Sequence, residues 1–235
     1  MKRFSSHLVF FGVIMILMAR PCLGQKFKFV IPPIDWTTGW AAGVKVSTTG
    51  PGIEGIKSIN KNWNARIGFS LLPIHINQNI DQNNLGLAVD AWVRTGGLNL
   101  QADFHLSEWY YFTGGLWFNL LKADLDIQLS DAVDFGDISI SPAQIGTFNV
   151  VAKPGSRISP YLAVGFGNPL PDKNRKFWFN VELGTWYHHK PRFFLDAAGM
   201  IEPTANIENE KALENNFKGF RFYPVFTIQG NYRIN

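Results

Sequence analysis

The sequence predicts an all-β fold: a closed antiparallel up-and-down transmembrane β-barrel of about ten strands, with eight as the alternative count. Three observations carry this prediction. The segment 219–234 alternates along its length, with Phe222, Phe226, Ile228, Tyr232 and Ile234 on one face and Arg221, Tyr223, Thr227, Gln229, Asn231 and Arg233 on the other. Such alternation is a strand signature, and it outlasts the five or six residues usual in soluble sheets. Several further segments repeat it. The N-terminus reads as an export signal, and no later run of eighteen apolar residues could cross a membrane as a helix.

Lys2 and Arg3 precede the uncharged apolar run Leu8–Met18, which Arg20-Pro21 ends. Small residues before a cut at Gly24 predict a signal peptide over 1–24 and a barrel domain over 25–235. A lipoprotein reading of Cys22 needs a small residue before it, and Pro21 stands there. Cleavage at Gly24 removes the one cysteine, so disulfides are not expected. It also removes Lys2, Arg3 and Arg20 from the 22 basic residues, leaving them close to the 18 acidic ones. The formal charge of +4 is therefore no argument for nucleic-acid binding.

Nine strands follow in order: 41–58, 64–76, 97–105, 109–121, 145–152, 159–167, 176–187, 191–199 and 219–234. The even count of single-chain bacterial barrels asks for one more. It comes either from Lys26–Ile31 or from a break of 41–58 at Gly50-Pro51-Gly52. If two segments are plug or loop, eight remain. Ala65, Ile67, Phe69 and Leu71 share a face opposite Arg66, Gly68 and Ser70; Leu98, Leu100 and Phe104 oppose Asn99, Gln101 and Asp103. Phe177, Phe179, Val181 and Leu183 oppose Trp178, Asn180, Glu182 and Gly184, and Phe193 and Leu195 oppose Asp196. The polar faces mix single charges of both signs with glycines and aromatics, which suits a narrow barrel interior. The expected interior polar residues are Arg66, Asp103, Glu182, Asp196, Arg221 and Arg233. Trp63, Trp109 and Trp186 stand at strand ends, where interfacial girdles lie.

Connections alternate in length. Short ones fall at 60–63, 105–108, 153–158 and 188–190, and long ones at 77–96, 121–144, 167–175 and 200–219. Short periplasmic turns and long outer loops are the rule for such barrels, so the last strand is expected to run inward.

Candidate sites weigh little. His188-His189 are adjacent and lack ligands at metal spacing, so a polar turn is expected. Asp124, Asp126, Asp131, Asp134 and Asp137 crowd one segment without the glycine and closing glutamate of a calcium loop, which reads as a solvated acidic loop. Asp103 and His105 with Glu182 could suggest a lipid-modifying enzyme, but no serine stands in a recognisable arrangement, and interior charge pairing is the expectation. Glu208–Asn216 reads as a short polar helix or loop. No cofactor, metal or catalytic residue is expected.

The ordered runs Gly50–Glu54, Asn62–Phe69, Leu100–His105, Tyr111–Asn119, Ser159–Asn168, Phe179–Gly184, Tyr223–Val225 and Gly230–Arg233 span nearly the whole mature chain. In order and spacing this set resembles a group of small uncharacterised outer-membrane β-barrel proteins of Gram-negative bacteria, akin to the OmpW and OmpA-like barrels. The resemblance implies outer-membrane residence, outer-membrane lipid and lipopolysaccharide as surroundings, and the barrel-assembly machinery as partner during insertion. It transfers no catalytic or ligand residue. Many such barrels end on Phe, whereas this chain ends Tyr232-Arg233-Ile234-Asn235. The expected role is structural or in binding through the outer loops, with a side-chain-filled interior. The alternatives are a narrow conduit for small apolar solutes or an exported soluble β-barrel that binds a ligand.

Overall fold

The computed structural model describes residues 38–234 apart from 83–84, 108, 136–137 and 171–175, and without the side chains of 81, 82, 85, 134, 135 and 138. The export segment and the strand candidate Lys26–Ile31 lie outside the described residues. The strands, in chain order, are β1 (Trp40–Ser47), β2 (Gly50–Ser58), β3 (Trp63–Gln82), β4 (Leu85–His105), β5 (Tyr110–Asn119), β6 (Lys122–Leu129), β7 (Val133–Phe135), β8 (Ile138–Ile140), β9 (Thr147–Lys153), β10 (Ile158–Gly167), β11 (Phe177–Tyr187), β12 (Arg192–Ala197) and β13 (Phe222–Arg233). Among the described residues, two helices, α1 (Pro142–Ile145) and α2 (Ile207–Asn216), and a 3₁₀ turn at Gly199–Thr204 join these strands.

Eight strands form a ring. β1 pairs with β2, β2 with β3, β3 with β4, β4 with β5, β5 with β10, β10 with β11, β11 with β13, and β13 returns to β1, every pair antiparallel. Ring order is chain order, so the barrel is an up-and-down meander carrying insertions. β3 and β4 outrun the ring. Beyond it they stay paired up to Gln82↔Leu85, and the upper part of β4 pairs with β6, β6 with β9, and β9 with β12. This five-stranded side sheet branches from the ring where β4 changes partner. Gly96 and Gly97 stand there with φ of 118° and 150°. A Cβ on Gly96 would lie 2.2 Å from the Ser70 carbonyl oxygen, so only glycine fits.

The structure corrects several sequence expectations. The ring has eight strands because 145–152 and 191–199 lie in the side sheet as β9 and β12. Period-two alternation marks a half-buried strand but does not say in which sheet it pairs. The break within 41–58 exists, but the turn falls on Thr48-Thr49, and Gly50 follows it at φ 101°. The supposed loop 77–96 is largely the β3–β4 hairpin. The supposed loop 121–144 holds β6, the small β7–β8 hairpin and the start of α1. With two segments removed from the ring, the end of β10 and the start of β11 move to the side where turn 59–62, the end of β4 and the start of β5 lie, together with residues 38–39 and the end of β13. The links 120–157 and 188–221 then share the opposite end with the 48–49 turn.

Candidate functional site

The ring is polar inside and apolar outside. Val44, Ile53, Leu162, Leu183 and Phe222 are each at least 60% exposed on its outer face. Lys45, Glu54, Arg66, Asp103, Glu182 and Arg233 are buried inside. The centre is Arg66, held on β3 between neighbours from three strands. Its Nη1 donates to Glu54 Oε2 at 3.1 Å, its Nε and Nη2 donate to Asp103 Oδ1 at 3.0 and 2.8 Å, and its Nη2 also donates to Glu182 Oε2. The far oxygen of each outer acid is engaged as well. Lys45 Nζ and Asn99 Nδ2 donate to Glu54 Oε1 at 3.1 and 2.9 Å, Lys45 Nζ also donates to Asn99 Oδ1 at 3.0 Å, and Tyr161 Oη donates to Glu182 Oε1 at 2.7 Å. Thr113 Oγ1 donates to Asp103 at 2.8 Å. A planar guanidinium suits this junction because its donors diverge at fixed angles.

On one side of the cluster, Asn180 donates to Tyr111 Oη at 2.8 Å, and Asn231 and Gln229 extend that chain of amides. On the other, toward the 48–49 turn, Trp117, Trp186 and Tyr223 pack with ring centroids 4.6 and 4.4 Å apart. Tyr223 Oη donates to the Thr48 carbonyl at 2.9 Å. The described lumen side chains therefore fill the ring with paired charges below an aromatic plug.

Of the residues expected inside, Arg66, Asp103 and Glu182 meet in this cluster. Arg233 is buried nearer the chain end, where its Nη2 donates to the Thr38 carbonyl at 3.2 Å. Two lie elsewhere. Asp196 is exposed on β12 in the side sheet, because that strand does not belong to the ring. Arg221 is exposed one residue before β13, where its Nε donates to the Lys218 carbonyl at 2.9 Å. Lys45 and Glu54 were missed, since treating 41–58 as one element hid the alternation on either side of its turn. His105 packs by Asn64, with Nε2 and Nδ2 2.8 Å apart. His188 is buried and His189 exposed in the turn after β11. Asp124 and Asp126 lie on β6 rather than in a loop, Asp124 on Lys122 at 2.7 Å and Asp126 accepting from Asn149 at 2.6 Å. Asp137 and the side chain of Asp134 lie outside the described residues. Glu208–Asn216 falls within α2, whose Asn206 caps the Asn209 N–H at 2.9 Å.

Along β3 and β4 the two faces exchange character at the rim. Within the ring, Ile67, Phe69 and Leu71 point outward and Arg66 and Ser70 inward. Above it, Pro73, His75 and Asn77 continue the outer face, while Leu72, Ile74 and Ile76 continue the inner one. β4 does the same, with Leu100 and Leu98 giving way to Arg94, Trp92 and Asp90 on the outer face. The register runs unbroken through the change, so the same strand face is apolar below and polar above.

No protein-family model and no curated protein matches the sequence. Among solved structures, the chain resembles Acinetobacter baumannii CarO, at 21% identity and a TM-score of 0.54 over 82% of this chain and 96% of that one. It also resembles Acinetobacter baumannii CarO2, at 16% identity and a TM-score of 0.54 over 84% of this chain and all of that one. At this identity the likeness concerns the fold, an antiparallel β-barrel.

Proposed function

We propose that this chain is an integral outer-membrane barrel whose filled ring anchors it in lipid and whose side sheet carries a structural or binding role outside the cell. The inside-out ring carries this reading. A water-soluble barrel would bury its Leu, Ile and Phe and expose its charges, whereas this one buries an arginine among three carboxylates and exposes a continuous apolar outer face. The exchange of polarity at the rim supports the same reading, because a face changes from apolar to polar where its surroundings change from lipid to water. The described ends of the chain share one side of the ring with turns 59–62 and 106–109, and the long insertions share the other. Short turns face the periplasm in such barrels, so on this reading the end of β13 lies on the periplasmic side and the side sheet outside. The packed charges and the aromatic plug favour an anchored platform over a conduit.

Fractionation with gel mobility tests the anchoring. The protein is expected in the outer-membrane fraction, with a folded form that migrates apart from the boiled one. Release into the soluble periplasmic fraction would overturn the membrane reading in favour of an exported soluble barrel. In planar bilayers the folded protein is expected to be silent, and a steady conductance would replace the filled lumen with a conduit.

A further inference from the structure

Four cations stand in one row across the side sheet. Arg94 of β4 is opposite Lys122 of β6. One step beyond the Ala123↔Ala152 pair, Lys122 is opposite Lys153 of β9, and Lys153 is opposite Arg192 of β12. Residues directly opposite in a sheet share a face, so all four side chains leave on the side that is the outer face of β4. Arg94, Lys153 and Arg192 are exposed and Lys122 is half-buried. The row spans three strand spacings, roughly 14 Å.

Folding alone does not account for this row. Like charges directly opposite each other in a sheet are destabilising. Among the described residues, Asp124 on Lys122 is the one carboxylate paired with a member of the row. Lys153 instead lies over the Phe194 ring at 4.9 Å. The row's height is also specific. It is the first outward row above Leu71, Leu98 and Leu100, where the apolar face of the ring ends. Arg192 continues it into a cleft of about 550 Å³ that Lys190, Arg221, His189 and Tyr187 also line, with Glu214 holding Lys190 at 3.1 Å.

We infer that the row Arg94–Lys122–Lys153–Arg192, with its adjoining cleft, binds the phosphorylated disaccharide headgroup of the outer leaflet's glycolipid. The inference rests on the outer-membrane reading and adds the residues that meet the lipid. A row of cations at the upper edge of the lipid-facing band lies level with headgroup phosphates, and acyl chains below it would lie against Leu71, Leu98 and Leu100. A disaccharide with a phosphate at each end can meet both ends of the row, while its anions relieve the repulsion between opposed cations.

The test uses the full chain refolded in phosphatidylcholine bilayers carrying a small share of bis-phosphorylated lipid A. Labelled lipid A is expected to be retained around the wild type, to be released by rising salt, and to be held more weakly when the lipid carries a single phosphate. Replacing the row by R94Q, K122Q, K153Q and R192Q together should lower retention by about tenfold or more. K57Q, at the opposite rim, should leave it unchanged. K153E alone should weaken retention while raising the urea midpoint of the folded protein, since it replaces a repelled cation by a partner for Lys122 and Arg192. Equal retention by wild type and quadruple variant, both folded by gel mobility, would overturn this inference and leave the membrane reading intact. Retention competed away by inorganic pyrophosphate without preference for the lipid would also overturn it. Failure of the wild type to insert into any bilayer would overturn both.

Discussion

Arg66 touches three carboxylates, and that arrangement determines what its loss would do. Arg66→Met keeps much of the volume but leaves Glu54, Asp103 and Glu182 buried around an apolar side chain, with Lys45 as the remaining cation on Glu54. Removing one partner of a buried charge cluster costs about 3–5 kcal/mol. The folded gel form of the variant should therefore disappear at clearly lower urea than that of the wild type, and Arg66→Lys should fall between them because it loses the divergent donors. On the opposite face, Leu183→Arg places a charge on a residue 62% exposed at mid-strand. In lipid this costs about 2–4 kcal/mol near the bilayer midplane. Glu208→Arg on exposed α2 should be close to neutral by the same urea measurement, and equal small effects would mean that the outer face meets water. These residues differ in how legible they were. Arg66, Asp103 and Glu182 stood out in the sequence as lone charges among glycines and aromatics. Lys45 and Glu54 did not, because their alternation changes direction at a two-residue turn that carries no Asn-Gly or Asp-Gly signal.

Between the ring and the side sheet, the turn after β11 is the element most open to pH. Burial lowers the pKa of His188 below its usual 6.5. The folded state thus favours the neutral imidazole, so this group costs nothing at neutral pH and withdraws stability as pH falls below the unfolded value. The His188 backbone joins two neighbours, its carbonyl accepting from Ser156 N and its N–H donating to the Arg221 carbonyl, both at 2.9 Å. Acidification from pH 7.5 to 5 should therefore increase amide exchange at Ser156 and His188, and His188→Gln should remove that dependence. An unchanged exchange profile across that range would rule out His188 as the cause. Elements were unevenly readable for a related reason. The long strands of the ring declared themselves by alternation in their outward apolar residues. β6, β9 and β12 alternate equally well, yet pair in a different sheet, since strand pattern carries no information about the partner. The upper halves of β3 and β4 read as loop because their polar and apolar faces are exchanged relative to the ring.

At the scale of the whole molecule, that exchange sets the height of the apolar outer band, which the proposed outer-membrane reading puts in lipid. On β3 the outward residues from Trp63 to Leu71 are apolar and Pro73 begins the polar stretch. Eight residue steps of about 3.4 Å give about 27 Å along the strand. With strands tilted by about 35–45°, the band stands roughly 20 Å tall. This is short even for an outer-membrane barrel, whose apolar band is about 25 Å. A barrel cannot tilt a single strand to absorb a mismatch, so a thicker bilayer must thin around it, at fractions of a kcal/mol per Å. The refolded protein should therefore be most stable in short-chain phosphatidylcholine and lose urea midpoint steadily as the acyl chains lengthen. Leu72 and Ile74, which face inward above the rim, should not extend the band, so Pro73→Leu and His75→Leu together should shift the preferred chain length upward. Stability that does not change with chain length would mean that the ring's apolar face does not define a lipid-facing band. The loss of that preference in the double variant without a shift would place the boundary elsewhere than at the exchange of faces.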